Sequence, residues 1–287
     1  MRVASKTIFD SVTLNLSRLN EALFKATETV YTGKTVTKPS DDPVGFVQAM
    51  SARTELANIE QMERNISLGN SWLNASEDAM SQAQDLISDA RALCVQMASG
   101  TIGVSERTAA AQDVQNIMDE IISLANTTVN GRYIFSGSDT DSMPFDADGA
   151  YGGDDGGFSI KISKESTVEI GKNGDEVFGS IFSDLSDLKT ALESNDTGGI
   201  GVSMDLLDDD FTHLSAQISD VGSKMTRLEI KQNILQGLNI STNERLSMIE
   251  DADLAEAITE LSSIEYAYQA ALSSSSKVMQ MSILDYL

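Results

Sequence analysis

One cysteine, three prolines, one histidine and 6% aromatic residues in a chain of 287 rule out several kinds of protein at once. The lone Cys94 cannot form an internal disulfide framework. Its surroundings, "RALCVQMA", read as a packed helical stretch holding an inert thiol. His213 has no serine or cysteine arrangement near it, so nucleophilic and general-base catalysis lack their usual members and no catalytic residue is assigned. No run of about 18 apolar residues exists that would cross a membrane as a helix. Basic side chains are also scarce, 20 against 44 acidic, and a net charge of −24 repels nucleic acid and anionic lipid alike. The start, "MRVASKTIFDSVTLNLSRL", has no continuous apolar core and no cleavage site, so no cleavable signal is expected.

No cofactor or metal is expected either. "GGIG" at 198–201, inside "NDTGGIG", which is expected to be a glycine-rich loop, lacks the spacing and strand context of a phosphate loop. "DADG" (146–149) and "DLLDDD" (205–210) do not complete a twelve-residue calcium loop with its terminal glutamate; they read as solvated acidic surface.

What the chain has is helical period. With 41% apolar residues and few aromatics, it predicts helices packed through Leu, Ile, Val, Met and Ala. Ile8, Val12, Leu16, Leu19, Leu23, Ala26 and Val30 lie three or four apart and mark one stripe, ending near Gly33. "TGKTVTKPSDDP" (32–43) is a loop, with Ser40, Asp41 and Asp42 as capping residues and Pro43 suited to a first helical turn. A second helix is predicted from Pro43 to about Ser99, mildly interrupted at Gly69. A third, capped by Ser105, places Ala110, Val114, Ile117, Ile121, Leu124 and Thr128 on one face and is closed by Asn130-Gly131. Phe211, Leu214, Ile218, Val221, Met225, Leu228, Gln232 and Leu235 continue as a 3.5-residue seam, with Leu246 and Ile249 in register. After the acidic turn "EDAD" (250–253), Leu254, Ala257, Leu261, Ile264, Tyr268, Ala271 and Val278 carry a shifted seam nearly to the end.

The middle differs. In 146–178, Phe158, Ile160 and Ile162 alternate with polar residues, as do Val168 and Ile170, and "KNGD" (172–175) predicts an Asn-Gly hairpin turn. A helix over about 179–194 follows. Residues 1–38 carry six basic and three acidic side chains, residues 244–287 two basic and eight acidic, so the ends are complementary in charge. The expected fold class is mainly α: an elongated bundle of long helices with terminal coiled-coil helices and a small β-rich inserted domain. The expected organisation is a terminal coiled-coil domain (1–38 with 247–287), a helical rod (39–145 with 179–246, including a short hairpin near 130–145) and an outer insertion (146–178). A helix at each extreme end must bury its seam against the other end or against another molecule. Both ends are therefore expected to be poorly ordered in a free monomer and helical in an assembly.

Four stretches together resemble one family. "KPSDDPVGF" (38–46), "NGRYIFSGSDTDSMPF" (130–145), "EDADLAEAITELSSIEYAYQAAL" (250–272) and "SILDYL" (282–287) are similar to the bacterial flagellin superfamily, and more narrowly to its hook–filament junction branch. The likeness covers about 1–145 and 205–287 and leaves the middle insertion uncovered.

The resemblance implies a structural, non-enzymatic subunit of the bacterial flagellum, outside the cell. It would join the hook side, through the first hook-associated protein, to the flagellin filament, and would pack against copies of itself in a ring. It implies passage through the flagellar type III export apparatus without a cleavable signal, guided by a small export chaperone. Residues expected at the subunit interface are Ile8, Val12, Leu16, Leu19, Leu23, Leu254, Leu261, Ile264, Leu272 and Val278. The surface expected for the chaperone is Leu254, Ile258, Leu261, Ile264, Leu272 and Met279. The alternative is flagellin itself; against it, "YTGKTVTKPSDDP" lacks the arginine-leucine-serine-serine-glycine pattern usual there. A reading of another class is a secreted acidic enzyme or calcium-binding adhesin on a helical stalk.

Overall fold

The computed structural model describes residues 2–284, with side chains described at 6, 7 and 9–277. Among the described residues are six helices, α1 (Arg2–Thr32), α2 (Pro43–Met97), α3 (Val104–Ala125), α4 (Gly174–Glu193), α5 (Thr197–Glu250) and α6 (Leu254–Leu284). Four short strands, β1 (Thr128–Val129), β2 (Arg132–Tyr133), β3 (Ser159–Lys161) and β4 (Thr167–Glu169), pair as two antiparallel hairpins. The chain is mainly helical, as its composition and periods predict. It forms two compact units, residues 59–237 and residues 1–58 with 238–287.

The unit 59–237 is built on two heptad seams. On α5, every seventh residue from Ile200 through Leu207, Leu214, Val221, Leu228 and Leu235 is buried. Phe211, Ile218 and Met225 fill the half-steps against the core. On α2 the same interval buries Ile59, Ile66, Leu73, Met80, Ile87 and Cys94, a repeat the sequence reading did not isolate. Period 3.5 keeps such a seam facing its partner over many turns. The partners run antiparallel: Gly69 approaches Leu228, Gln84 donates to the Phe211 carbonyl (3.2 Å), and Arg91 pairs with Asp208. Gly69 leaves α2 unbroken. Its role is close approach, since a Cβ there would stand 2.5 Å from Ile160 Cδ1 and 2.9 Å from Leu228 Cδ1.

Four local expectations are corrected. Asn130-Gly131 does not close α3, which ends at Ala125 with Asn126 as its cap. With φ of 54° and 78°, the pair forms the two-residue turn of the β1–β2 hairpin, Thr128 opposite Tyr133. The left-handed conformation that suits a helix end equally suits such a hairpin turn. "KNGD" is no hairpin turn: Asn173 Oδ1 accepts from the Asp175 amide at 2.8 Å and caps α4, five residues earlier than predicted. The β3–β4 turn lies at 162–166, where the Ile162 amide donates to the Ser166 carbonyl. "NDTGGIG" is the start of α5, capped by the Asp196 carboxylate on the Gly198 amide at 3.0 Å. Ser105 does not cap α3; Gly103 occupies that position.

The stretch 146–178 shares the core of this unit. Ile160, Ile162, Val168 and Ile170 are buried in it, and Phe158 lies 5.2 Å from Trp72. Phe135 and Phe145, from the segment after β2, pack with Phe178 and Phe182 of α4, with edge-on centroid distances of 4.9 Å (Phe135–Phe178) and 5.1 Å (Phe145–Phe182). The surrounding loops are held by aspartates on backbone amides. Asp146 receives Asp148 and Ala150; Asp154 receives Ser138 and Gly156. These hydrogen bonds, first among them the one from the Ser138 hydroxyl, hold the Asp154 carboxyl below its ordinary range. Cys94 is buried as predicted, and desolvation pushes its thiol up to about 11.

In the other unit, α1 packs along α6. Gly33 (φ 67°) ends α1 with its amide on the Thr29 carbonyl. Asp42 accepts from the Val44 amide (3.0 Å) and Pro43 opens α2, as predicted. Asp253 caps α6 through the Ala255 amide (2.8 Å).

Candidate assembly interface

The terminal helices carry two apolar rows each. On α1 the predicted stripe, Val12, Leu16, Leu19 and Leu23, is half-buried and Ala26 is buried. On α6 the matching row is Ala257, buried, with Leu261, Ile264, Tyr268 and Ala271 half-buried. Because these two helices pack on each other, the inner rows already have a partner within one chain. Each seam supplies the other's cover, one of the two burials expected for the terminal helices. The side chains of Ile8, Val278 and Met279 lie outside the described residues.

The outer rows are open. Leu254 (50% exposed), Ile258 (52%) and Leu272 (45%) lie on the α6 surface. Of the six residues expected to form one chaperone surface, the five described are divided: Leu261 and Ile264 face the seam, Leu254, Ile258 and Leu272 face out. On α1, Phe9, Leu14, Phe24 and Tyr31 are exposed, Tyr31 by 90%. Val44, Val47 and Met50 add an exposed row on the first turns of α2, and Tyr266 another on α6. The sequence reading passed over these residues. Their signal was available, since Phe24 and Tyr31 are seven apart and Val44, Val47 and Met50 three apart, off the inner stripe. A single exposed apolar residue is ordinary; many on one unit mark a surface that another protein covers.

The ends of α1, α5 and α6 meet at Glu250, whose side chain is 3% exposed. Lys34 Nζ and an Arg53 guanidinium nitrogen each lie 2.7 Å from its carboxylate. Its carbonyl receives the Thr35 amide at 2.7 Å, and the Ala252 amide returns to the Gly33 carbonyl at 2.9 Å. The opposite charge of the chain ends is realised here, as Lys34 against Glu250. "EDAD" read only as an acidic turn, because its partners are more than 190 residues away in sequence. Burial works against ionisation of Glu250, but the hydrogen bonds and charges of Lys34 and Arg53 together prevail and hold its carboxyl below its ordinary 4.5. A depressed folded value gives stability that is present above about pH 4.5 and lost as pH falls through the folded value. Glu250→Gln is therefore expected to cost about 1–3 kcal/mol at pH 7 and to remove that acid dependence. Hydrogen exchange of the amides at 33–35 and 250–252, followed from pH 7 to pH 3, measures both; an unchanged acid profile in the variant would contradict the assignment.

His213 is half-exposed, with Nε2 2.8 Å from the Glu176 carbonyl oxygen, a contact between helices. Among the described residues no group of three or more acidic, histidine or cysteine side chains is arranged to hold a metal ion. No described helix is long and apolar enough to cross a membrane.

Comparison with known proteins matches both ends of the chain. The bacterial flagellin N-terminal helical region matches residues 5–140 and the bacterial flagellin C-terminal helical region residues 204–287, leaving 141–203 between them. Flagellar hook-associated protein 3 of Salmonella typhimurium is 32% identical over 185 residues, 64% of this chain and 58% of that protein, so the aligned stretch spans less than two thirds of that relative. Flagellar hook-associated protein 3 of Escherichia coli is 27% identical over 92% of this chain and 82% of its own length. Flagellin of Bacillus subtilis is 26% identical over 90% of each chain. Among solved structures, FlgL of Bacillus cereus aligns with a TM-score of 0.62 at 23% identity, covering 68% of this chain and 98% of that one. The flagellar junction protein FlgL of Legionella pneumophila aligns with a TM-score of 0.58 at 16% identity, covering 70% and 100%. At these identities the structural likenesses establish the fold.

Proposed function

The chain belongs to the bacterial flagellin family, and from that membership we propose that it is a structural subunit of the flagellum at the hook–filament junction. The observation that carries the assembly role is the open apolar surface of α1, α6 and the first turns of α2, set on the same helices whose inner rows close the chain on itself. Inner rows hold the subunit together; outer rows are left for neighbours. In the proposal those neighbours are further copies in a ring, the first hook-associated protein on one side and flagellin on the other. The subunit would act outside the cell after type III export with a dedicated chaperone, for which Leu254, Ile258 and Leu272 offer the accessible part of the surface. Its role is mechanical, in line with relatives that are flagellar components.

A second reading, the filament subunit itself, is favoured by the match to Bacillus subtilis flagellin over 90% of each chain. One experiment separates the two. In a strain lacking this chain, electron microscopy is expected to show completed hooks without filaments and flagellin released into the medium. Intact filaments would refute the junction role. Absence of both filament and released flagellin would favour the filament reading.

A further inference from the structure

In the sequence, "DLLDDD" read as solvated acidic surface, yet its last residue is a core residue. Asp210 of α5 is 3% exposed, while Asp205 and Asp209 are open to solvent. Its Oδ1 accepts the Ser180 hydroxyl of α4 at 2.8 Å. Its Oδ2 is buried with no hydrogen-bond partner. A second carboxyl, Asp184, stands one turn beyond Ser180 on α4, close enough to hydrogen-bond with Asp210. Two ionised carboxylates cannot form that bond, because both only accept. A proton on Asp210 supplies the missing donor.

We propose that Asp210, set against Asp184, forms a proton-operated joint between α5 and α4, closed while Asp210 holds a proton and loosened when it ionises. The other charged groups around it do not substitute for the proton. His213, on the same helix as Asp210, has its Nε2 engaged by the Glu176 carbonyl of α4. Arg91 of α2 is taken by Asp208. Lys189, further along α4, donates to Gln115 of α3. Burial is the chief cause that pushes Asp210 up to about 6; the Ser180 hydrogen bond and His213 oppose the rise, and Asp184 adds to it. A folded value above the unfolded one gives stability that is complete below about pH 3.8 and lost as pH rises through about 6. The effect extends past the joint, because α4 also supplies Phe178 and Phe182 to the ring cluster that holds Phe135 and Phe145. Docking of the 130–151 segment would follow ambient pH. This inference does not depend on the junction role.

Hydrogen exchange of the full chain, corrected for intrinsic rates, tests it at pH 5 and pH 7.5. The opening constant of α4 amides is expected to rise about tenfold between the two in the native protein. In Asp210→Asn it should stay flat, at or below the native pH 5 value. A native profile without pH dependence, or a variant that keeps the native slope, overturns the joint. If Asp210→Asn does not fold, Asp184→Asn decides: its amide can donate to ionised Asp210, so the slope should shrink, and an unchanged slope overturns the pairing. A carboxyl carbon titration of Asp210 in the native chain should show a midpoint near 6. A midpoint below 4.5 overturns the proposal independently of any variant.

Discussion

Replacing Leu261 and Ile264 together by Asp is expected to abolish assembly while leaving the unit 59–237 folded. Both side chains sit half-buried on the inner row of α6, against which α1 packs. Each substitution removes apolar contact and sets a charge into the seam, and the pair is expected to cost about 3 kcal/mol or more, enough to release α1 from α6. The outer rows then lose the scaffold that displays them. Leu254→Asp with Ile258→Asp is the comparison, since both residues are about half exposed and lie off the seam. That variant should also fail to assemble and to bind the proposed export chaperone, yet keep α1 and α6 protected from hydrogen exchange. Light scattering of the purified chains reads assembly. Trp72, the only tryptophan, is buried beside Phe158 in the other unit and reports whether that unit is intact. Assembly of the inner double variant at native concentration would remove the α1–α6 seam from any part in polymerisation.

The second large effect is expected at Arg107, a cation 4% exposed whose partners among the described residues are two carbonyls and one side-chain amide. Its Nε donates to the Met97 carbonyl and its Nη2 to the Ser99 carbonyl, both at 2.9 Å. Its Nη1 reaches the Asn195 side-chain oxygen. Asn195 holds a left-handed backbone (φ 55°) between α4 and α5. One side chain thus ties the α2–α3 turn to the α4–α5 turn. Arg107→Ala leaves three acceptors without their donor and opens a void, at a cost of about 3–5 kcal/mol. Arg107→Lys restores a charge but not the planar fork, and is expected to recover only part of the loss. Urea unfolding followed by Trp72 fluorescence gives the numbers; a loss under about 0.5 kcal/mol would show that water replaces the guanidinium and that the clamp is incidental.

The helices themselves were legible before any fold was known. A 3.5-residue apolar interval is a local property, and it located the α5 seam from Phe211 to Leu235 and most of the inner rows of α1 and α6, although Leu254, expected in the α6 seam, lies on the open face. Capping chemistry is equally local, which is why Gly33, Asp42 and Pro43 were read correctly. Local chemistry fails where one conformation serves two structures. Asn130-Gly131 and Asn173-Gly174 each suit a hairpin turn and a helix boundary, and the structure uses each in the role opposite to the one its local sequence suggests. Only the surrounding packing chooses between them, since Phe135, Phe145 and Phe178 bury their rings in one arrangement.

By itself, then, the sequence determined the class of the fold, the position of its seams, and a charge and cysteine content that exclude several functions. The tertiary structure alone decided which polar residues are buried and what meets them. Glu250 and Asp210 lie in acidic runs that look alike in one dimension. One finds Lys34 and Arg53 and is held ionised; the other finds Ser180 and a second carboxyl and is held toward its neutral form. The physical reason is that burial raises the energy of a charge wherever it occurs, whereas compensation depends on partners brought from distant parts of the chain, which no local pattern records.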